Sequence, residues 1–240
     1  LTGVAAAPII TAHRKNREKL QKYQDEHQAW EAQAWLDTAE HATEKRGPEP
    51  ELPTFENPEG LPGEFADYFE GVVALKSVKP DRAAALRAWE RLLERPASER
   101  KFKSTWAAFM LGKLWQEEDD AKAIGYFQMT RALAKKRFAD SAGLTVAAIG
   151  WEARVELRLK HFQRALELYL EQFAAGDESA VQSLRIAANG ALQEAGAELA
   201  TLAATPNLRA VITAYLISDR IIVDYPTGLA PAIRPETAWL

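Results

Sequence analysis

The chain has 240 residues, 47% of them hydrophobic and 27% charged, with a formal net charge of −4 and no cysteine. That composition suits a globular protein able to bury a core, and the charge argues against a general affinity for nucleic acid. The missing cysteine rules out disulfides, thiol nucleophiles and cysteine-ligated metals.

No apolar run approaches the roughly 18 residues of a membrane span. The chain starts at Leu1, which reads as a processed form. Its opening LTGVAAAP has no basic stretch before it and is not a complete signal peptide. A soluble protein, exported or cytoplasmic, is expected.

Taken in chain order, residues 1–46 form an N-terminal segment with one long helix over 13–45. Leu20, Tyr23, His27, Trp30 and Ala34 fall at spacings of three and four, the stripe by which a helix docks on a neighbour. Trp30 and Trp35 are expected to anchor it. The basic run Arg14, Lys15, Arg17, Lys19 and Lys22 reads as a solvated face.

Residues 47–63, GPEPELPTFENPEGLPG, hold five prolines and three glycines. Each proline removes a donor and restricts the residue before it, so this is an extended connection, with Leu52 and Phe55 able to pin it to a surface. Over 64–222 helical periodicity resumes, with helices expected at 64–77, 82–95, 103–117, 120–136, 141–159, 161–175, 178–195, 197–204 and 207–222. The breaks are local: Lys79-Pro80-Asp81, Arg95-Pro96, Glu118-Asp119-Asp120, Gly176-Asp177 and Thr205-Pro206-Asn207. Ser179 with Gln182 reads as a capping box, and Asn207 as an N-cap. RIIVDY at 220–225 reads as a helix end or a short strand, and the tail over 223–240 as extended.

Within the helical region a pattern recurs. Ala85 precedes Trp89 by four, Ala123 precedes Phe127 by four and Ala165 precedes Tyr169 by four, at offsets of 38 and 42 residues. Upstream of these lie Gly71 with Ala74, then Leu111, Gly112 and Trp115 (with Ala108 in place of a tryptophan), then Ala153. These residues resemble the tetratricopeptide repeat, a helix–turn–helix unit, over about 64–175. The resemblance implies an all-α, right-handed α-solenoid of stacked antiparallel helical hairpins. Small residues let the two helices of a hairpin approach, and the aromatic is expected to fill space toward the next hairpin.

The resemblance also implies a concave groove lined by the first helices, at Tyr68 and Lys76, then Trp106, Lys113 and Gln116, then Arg154 and Arg158. Basic residues there favour a protein or peptide partner that is acidic or ends in a carboxylate.

Signatures of nucleophilic, phosphate-binding, dinucleotide-binding and zinc-protease sites are missing, and no cofactor or metal is expected. His27 with Glu31 has the spacing of two metal ligands on one helix face but reads as a seam or surface pair. Glu117-Glu118-Asp119-Asp120 reads as the solvated turn of a hairpin. The leading expectation is a non-enzymatic interaction module. The alternatives are a structural or regulatory segment whose groove its own N-terminal helix fills, or a glycan-processing enzyme using acids such as Glu117 and Asp67.

Overall fold

A computed structural model describes residues 6–37 and 46–223, and among them every regular element is helical. In order these are α1 (Ala6–Ala32), α2 (Gly63–Lys76), α3 (Arg82–Glu94), α4 (Ser104–Trp115), α5 (Asp120–Lys135) and α6 (Leu144–Arg158). Then follow α7 (Phe162–Ala174), α8 (Ala180–Glu194), α9 (Glu198–Ala204) and α10 (Pro206–Val223), with short 3-10 turns at Ala34–Asp37 and Ala97–Glu99. The protein is all-α. Two compact units divide it, Leu1–Ala107 and Ala108–Leu240.

Helix starts follow the capping chemistry of the sequence. Asp81 accepts from Ala84 N at 2.8 Å, and Asp119 from Lys122 N at 3.0 Å. Asp140 holds the first amides of α6, Leu144 N at 2.7 Å and Thr145 N at 3.0 Å. Carboxylates remote in sequence do the same work. Glu198 accepts from Gln163 N at 3.1 Å, and Glu64 from Phe102 N and Lys103 N at 2.9 and 2.7 Å. All but Glu64 fill donors that the first turn of a helix leaves open, and the two amides on Glu64 lie just ahead of α4.

Three local expectations need correction, and the choice left open at RIIVDY falls to a helix end. Among the described residues the N-terminal helix spans Ala6–Ala32, earlier at both ends than expected. Residues 38–45 of the expected helix lie outside the described residues. Ser179 makes no side-chain cap to α8; it donates its hydroxyl and its amide to Asp177 at 2.6 and 3.0 Å. Asn207 lies inside α10, since Pro206 with its preset φ is the first helical residue. RIIVDY is helical as far as Val223, and 224–240 lie outside the described residues.

In the first unit α1 docks on α2 through buried Leu20, Tyr23 and Phe69, with Phe55 of the connection packed against them. Phe55 meets Phe69 edge-on at 5.4 Å, whereas Leu52 stays exposed. Asn16, also buried, donates its amide to Glu56 O at 2.8 Å, and the Tyr23 hydroxyl accepts from Val78 N at 3.1 Å. Trp30 donates to Gly47 O at 2.8 Å under the Arg46 guanidinium. His27 lies in the buried seam between Glu31 and Glu49. Side-chain placement of Trp35 lies outside the description.

In the second unit one core joins α6, α7, α8, α9 and α10, through Ile149, Ala153, Phe162, Leu166, Tyr169, Leu184, Leu202, Leu208 and Ile212 among others.

The spacing of small and aromatic residues has a direct structural counterpart. A methyl group added at Gly71 would collide with the Trp89 indole, and one at Gly112 would lie 2.6 Å from Phe127 Cε1. Trp89 and Phe127 are fully buried. Trp89 and Phe127 therefore pack back on the glycine of their own helix pair, where the missing side chain leaves a slot that a flat ring fills, whereas Tyr169 reaches Ser183 of α8.

This gives a pair of opposite outcomes. Gly125 in α5 has nothing within 4 Å of an added methyl group, so Gly125→Ala is expected to stabilise by about 0.5–1 kcal/mol through helix propensity. Gly112→Ala is expected to destabilise by about 1–3 kcal/mol through overpacking. Urea melts of both variants check the contrast, and equal effects would refute the packing role of Gly112.

Candidate functional site: a basic, aromatic cleft on the first unit

Two walls of the first unit enclose a cleft of about 670 Å³. α1 contributes His13, Arg14, Arg17 and Glu18, while α2 contributes Tyr68, Phe69, Val72 and Lys76. Lys103, just before α4, and Trp106, in its first turn, complete it. Helical spacing explains the α1 face, since positions 13, 14, 17, 20, 21 and 24 recur every three or four residues. The rest of the basic run points elsewhere: Lys15, Lys19 and Lys22 are exposed, and Lys22 pairs with Glu26 at 3.5 Å.

Aromatic rings form one side of the cleft. Tyr68 stacks on Trp89 at 6.2 Å and meets Trp106 edge-on at 6.0 Å. The Lys103 ammonium lies 5.0 Å from the Tyr68 ring centroid and 5.4 Å from those of Phe65 and Trp106. Burial pushes the Tyr68 hydroxyl up to about 12, against a smaller opposing effect of Arg17, so it remains a hydrogen-bond donor. Burial also lowers the Lys103 pKa, as does nearby Arg17, while Glu64 opposes them.

Charge is unbalanced here. Among the described residues, Arg14, Arg17, Lys76 and Lys103 form no ion pair, and Glu18 is the one carboxylate on the lining. In a chain with a net charge of −4, cations gathered in excess over carboxylates make a local positive potential, which concentrates anions at a concave surface.

Other clusters of charge are closed on themselves. Asp67, buried, accepts from Arg91 Nε at 2.9 Å and from Arg95 Nε at 2.5 Å, which accounts for the acid that the enzyme reading would use. Glu64 spends its carboxylate on two backbone amides, and burial raises its pKa in spite of them. Of the acidic turn, Asp119 caps α5 and Asp120 pairs with Arg158.

The seven expected groove residues divide between the units. Tyr68, Lys76 and Trp106 meet in the cleft of the first. In the second, Lys113 and Arg154 flank the Trp151 ring at 4.5 and 5.3 Å. Arg158 is held by Asp120 and by the Gln116 carbonyl. It does not join Arg154, nor does it pair with Glu117, Glu152 or Glu156. Asp120 at the start of α5 lies within its reach, while Glu152 is taken by Arg131 and Arg164, and Glu156 by His161.

The sequence reading missed His13, Arg14, Arg17 and Lys103. A signal was present for two of these, since Arg14 and Arg17 are three apart on the face that carries Leu20. Their role depends on where α1 docks, which no local pattern states.

No family model, curated protein or solved structure matches the chain. Its function must be read from the geometry.

Proposed function

We propose that the chain is a non-enzymatic interaction module whose first-unit cleft binds an acidic, extended peptide. The single observation that carries this reading is the cleft itself, in which four unpaired cations surround an aromatic floor. Carboxylates of such a peptide meet Arg14, Arg17, Lys76 and Lys103, and its apolar atoms lie on Tyr68 and Trp106. The fold proposed to present it is a right-handed solenoid of helical hairpins resembling tetratricopeptide repeats. The Gly71–Trp89 and Gly112–Phe127 contacts support that reading, because they recur at the equivalent small and aromatic positions.

A second reading has its own support. α1 docks on α2 through Leu20 and Tyr23, so the N-terminal helix is itself an occupant of the face that the repeat reading assigns to a partner. In the favoured reading α1 narrows this face to a cleft and supplies half of its charge.

A short oligoglutamate peptide titrated onto the protein tests the proposal. Binding is expected to weaken steeply with added salt and by about tenfold or more in Arg14→Glu/Arg17→Glu. Both arginines are exposed, so the double variant should melt close to wild type. Wild-type affinity in the folded double variant would refute the proposal, and failure of the peptide to bind at all would favour the self-occupied reading.

A further inference from the structure

His13 sits on the α1 wall of the cleft, edge-on to Phe69 at 5.3 Å and to Phe65 at 6.4 Å. Its Nδ1 is buried and has no hydrogen-bond partner. That leaves Nε2 as the nitrogen a ligand can reach. Around the cleft stand Arg14, Arg17 and Glu18 from its own helix, Tyr68 and Lys76 from α2, and Lys103 just before α4. Cations outnumber the one carboxylate.

A proton on this ring therefore meets three obstacles. Burial lowers the His13 pKa from its ordinary value, and then Arg17 and Lys103 lower it further. Once charged, Nδ1–H would also lack an acceptor, at the cost of a buried unsatisfied donor. An anionic group seated beside Arg17 and Lys103 reverses the balance of charge, and it offers Nε2–H an acceptor of opposite sign.

We infer that binding of an acidic peptide in this cleft is coupled to protonation of His13, so that the peptide is held more tightly as pH falls. The inference rests on the cleft being the binding site. Its sign follows from linkage: a group that binds protons more readily in the complex than in the free protein makes binding take up protons, and affinity then declines as pH rises through the pKa of the complex. His13 is a positioning and sensing residue here, while the cations supply the main attraction.

A probe whose own charge does not titrate isolates the effect. An oligopeptide of cysteic acid carries sulfonates that stay ionised throughout, and calorimetry in two cationic buffers of different ionisation enthalpy counts the protons taken up. The expected result is an uptake of less than one proton per peptide. Affinity should fall about three- to tenfold between about pH 6 and about pH 8. His13→Gln should bind with a pH-independent affinity close to that of the wild type at high pH. Proton NMR of the His13 ring reads the same coupling without a variant, since its titration must move to higher pH in the complex.

Binding without proton uptake, or uptake that persists in His13→Gln, would overturn the coupling while leaving the cleft as a peptide site. No binding at either pH would overturn the cleft reading, and the coupling with it.

Discussion

Trp89→Ala is expected to lower stability by about 3–5 kcal/mol, the range for deleting a fully buried large aromatic side chain. Trp89 has no exposed surface, and it fills the slot opposite Gly71. Its Nε1 donates to Tyr68 O at 3.1 Å, and its ring stacks on Tyr68 at 6.2 Å. Alanine would leave a cavity that α2 and α3 cannot close without bending, and it would remove the hydrogen bond. Trp89→Phe keeps most of the packing but loses the donor, so about half of that cost is expected. Because Tyr68 lies between Trp89 and the cleft, loss of the indole should also weaken oligoglutamate binding. Denaturant titration checks the first part. A cost below about 1 kcal/mol for Trp89→Ala would contradict the packing described.

Glu152→Ala is expected to be as damaging, at about 3–5 kcal/mol, for an electrostatic reason. The Glu152 carboxylate is fully buried in the second unit. Arg131, whose side chain is only 13% exposed, donates to it, together with Arg164 at 3.2 Å and Gln128 at 3.1 Å. Removing the acid strands the Arg131 guanidinium, whose other carboxylate contact is Glu171 at 3.9 Å. Desolvation already taken by that guanidinium then goes uncompensated. The contrast is Arg158→Ala, which removes an ion pair that is 47% exposed on the arginine side and should change stability by less than about 1 kcal/mol. Thermal melts of the two variants separate the cases. Similar midpoints would mean that the buried cluster has relaxed or hydrated on losing its acid.

Much of the local structure was legible in the residues themselves. The starts and ends of α2 to α10 fall within about three residues of those expected from periodicity and breakers. Asp81 and Asp119 hold amides three residues on, and Gly176 ends its helix with a φ of 91°, so these features are local. The positions of the small and aromatic residues in each helix pair were legible too, because a short turn brings the two helices of a pair back on each other. The direction in which each ring points was not, because that is settled by the slot the glycine opens.

The charges were read least well, and the reason is physical. Periodicity assigns a residue to a face of its helix, but it does not say what that face meets. Glu152 is an acid in a helix of ordinary polarity, and only the approach of Arg131 and Arg164 makes its burial tolerable. Arg158 is four residues from Arg154, yet Asp120 captures it from a turn 38 residues away. Arg14 and Arg17 read as solvated, and both are exposed, but the sequence did not say that they border a cleft. The docking of Leu20 and Tyr23 on α2 turns that one stripe toward Tyr68, Lys76 and Trp106. The residues themselves determined an all-helical chain with its breaks and close helix pairs, since those depend on neighbours a few positions apart, while some amides at or just before helix starts are held by carboxylates 35 or more residues away. The cleft, its excess of cations and the unpartnered nitrogen of His13 were decided by tertiary contacts between segments about forty to ninety residues apart, where burial and Coulomb energy depend on distance in space and not along the chain.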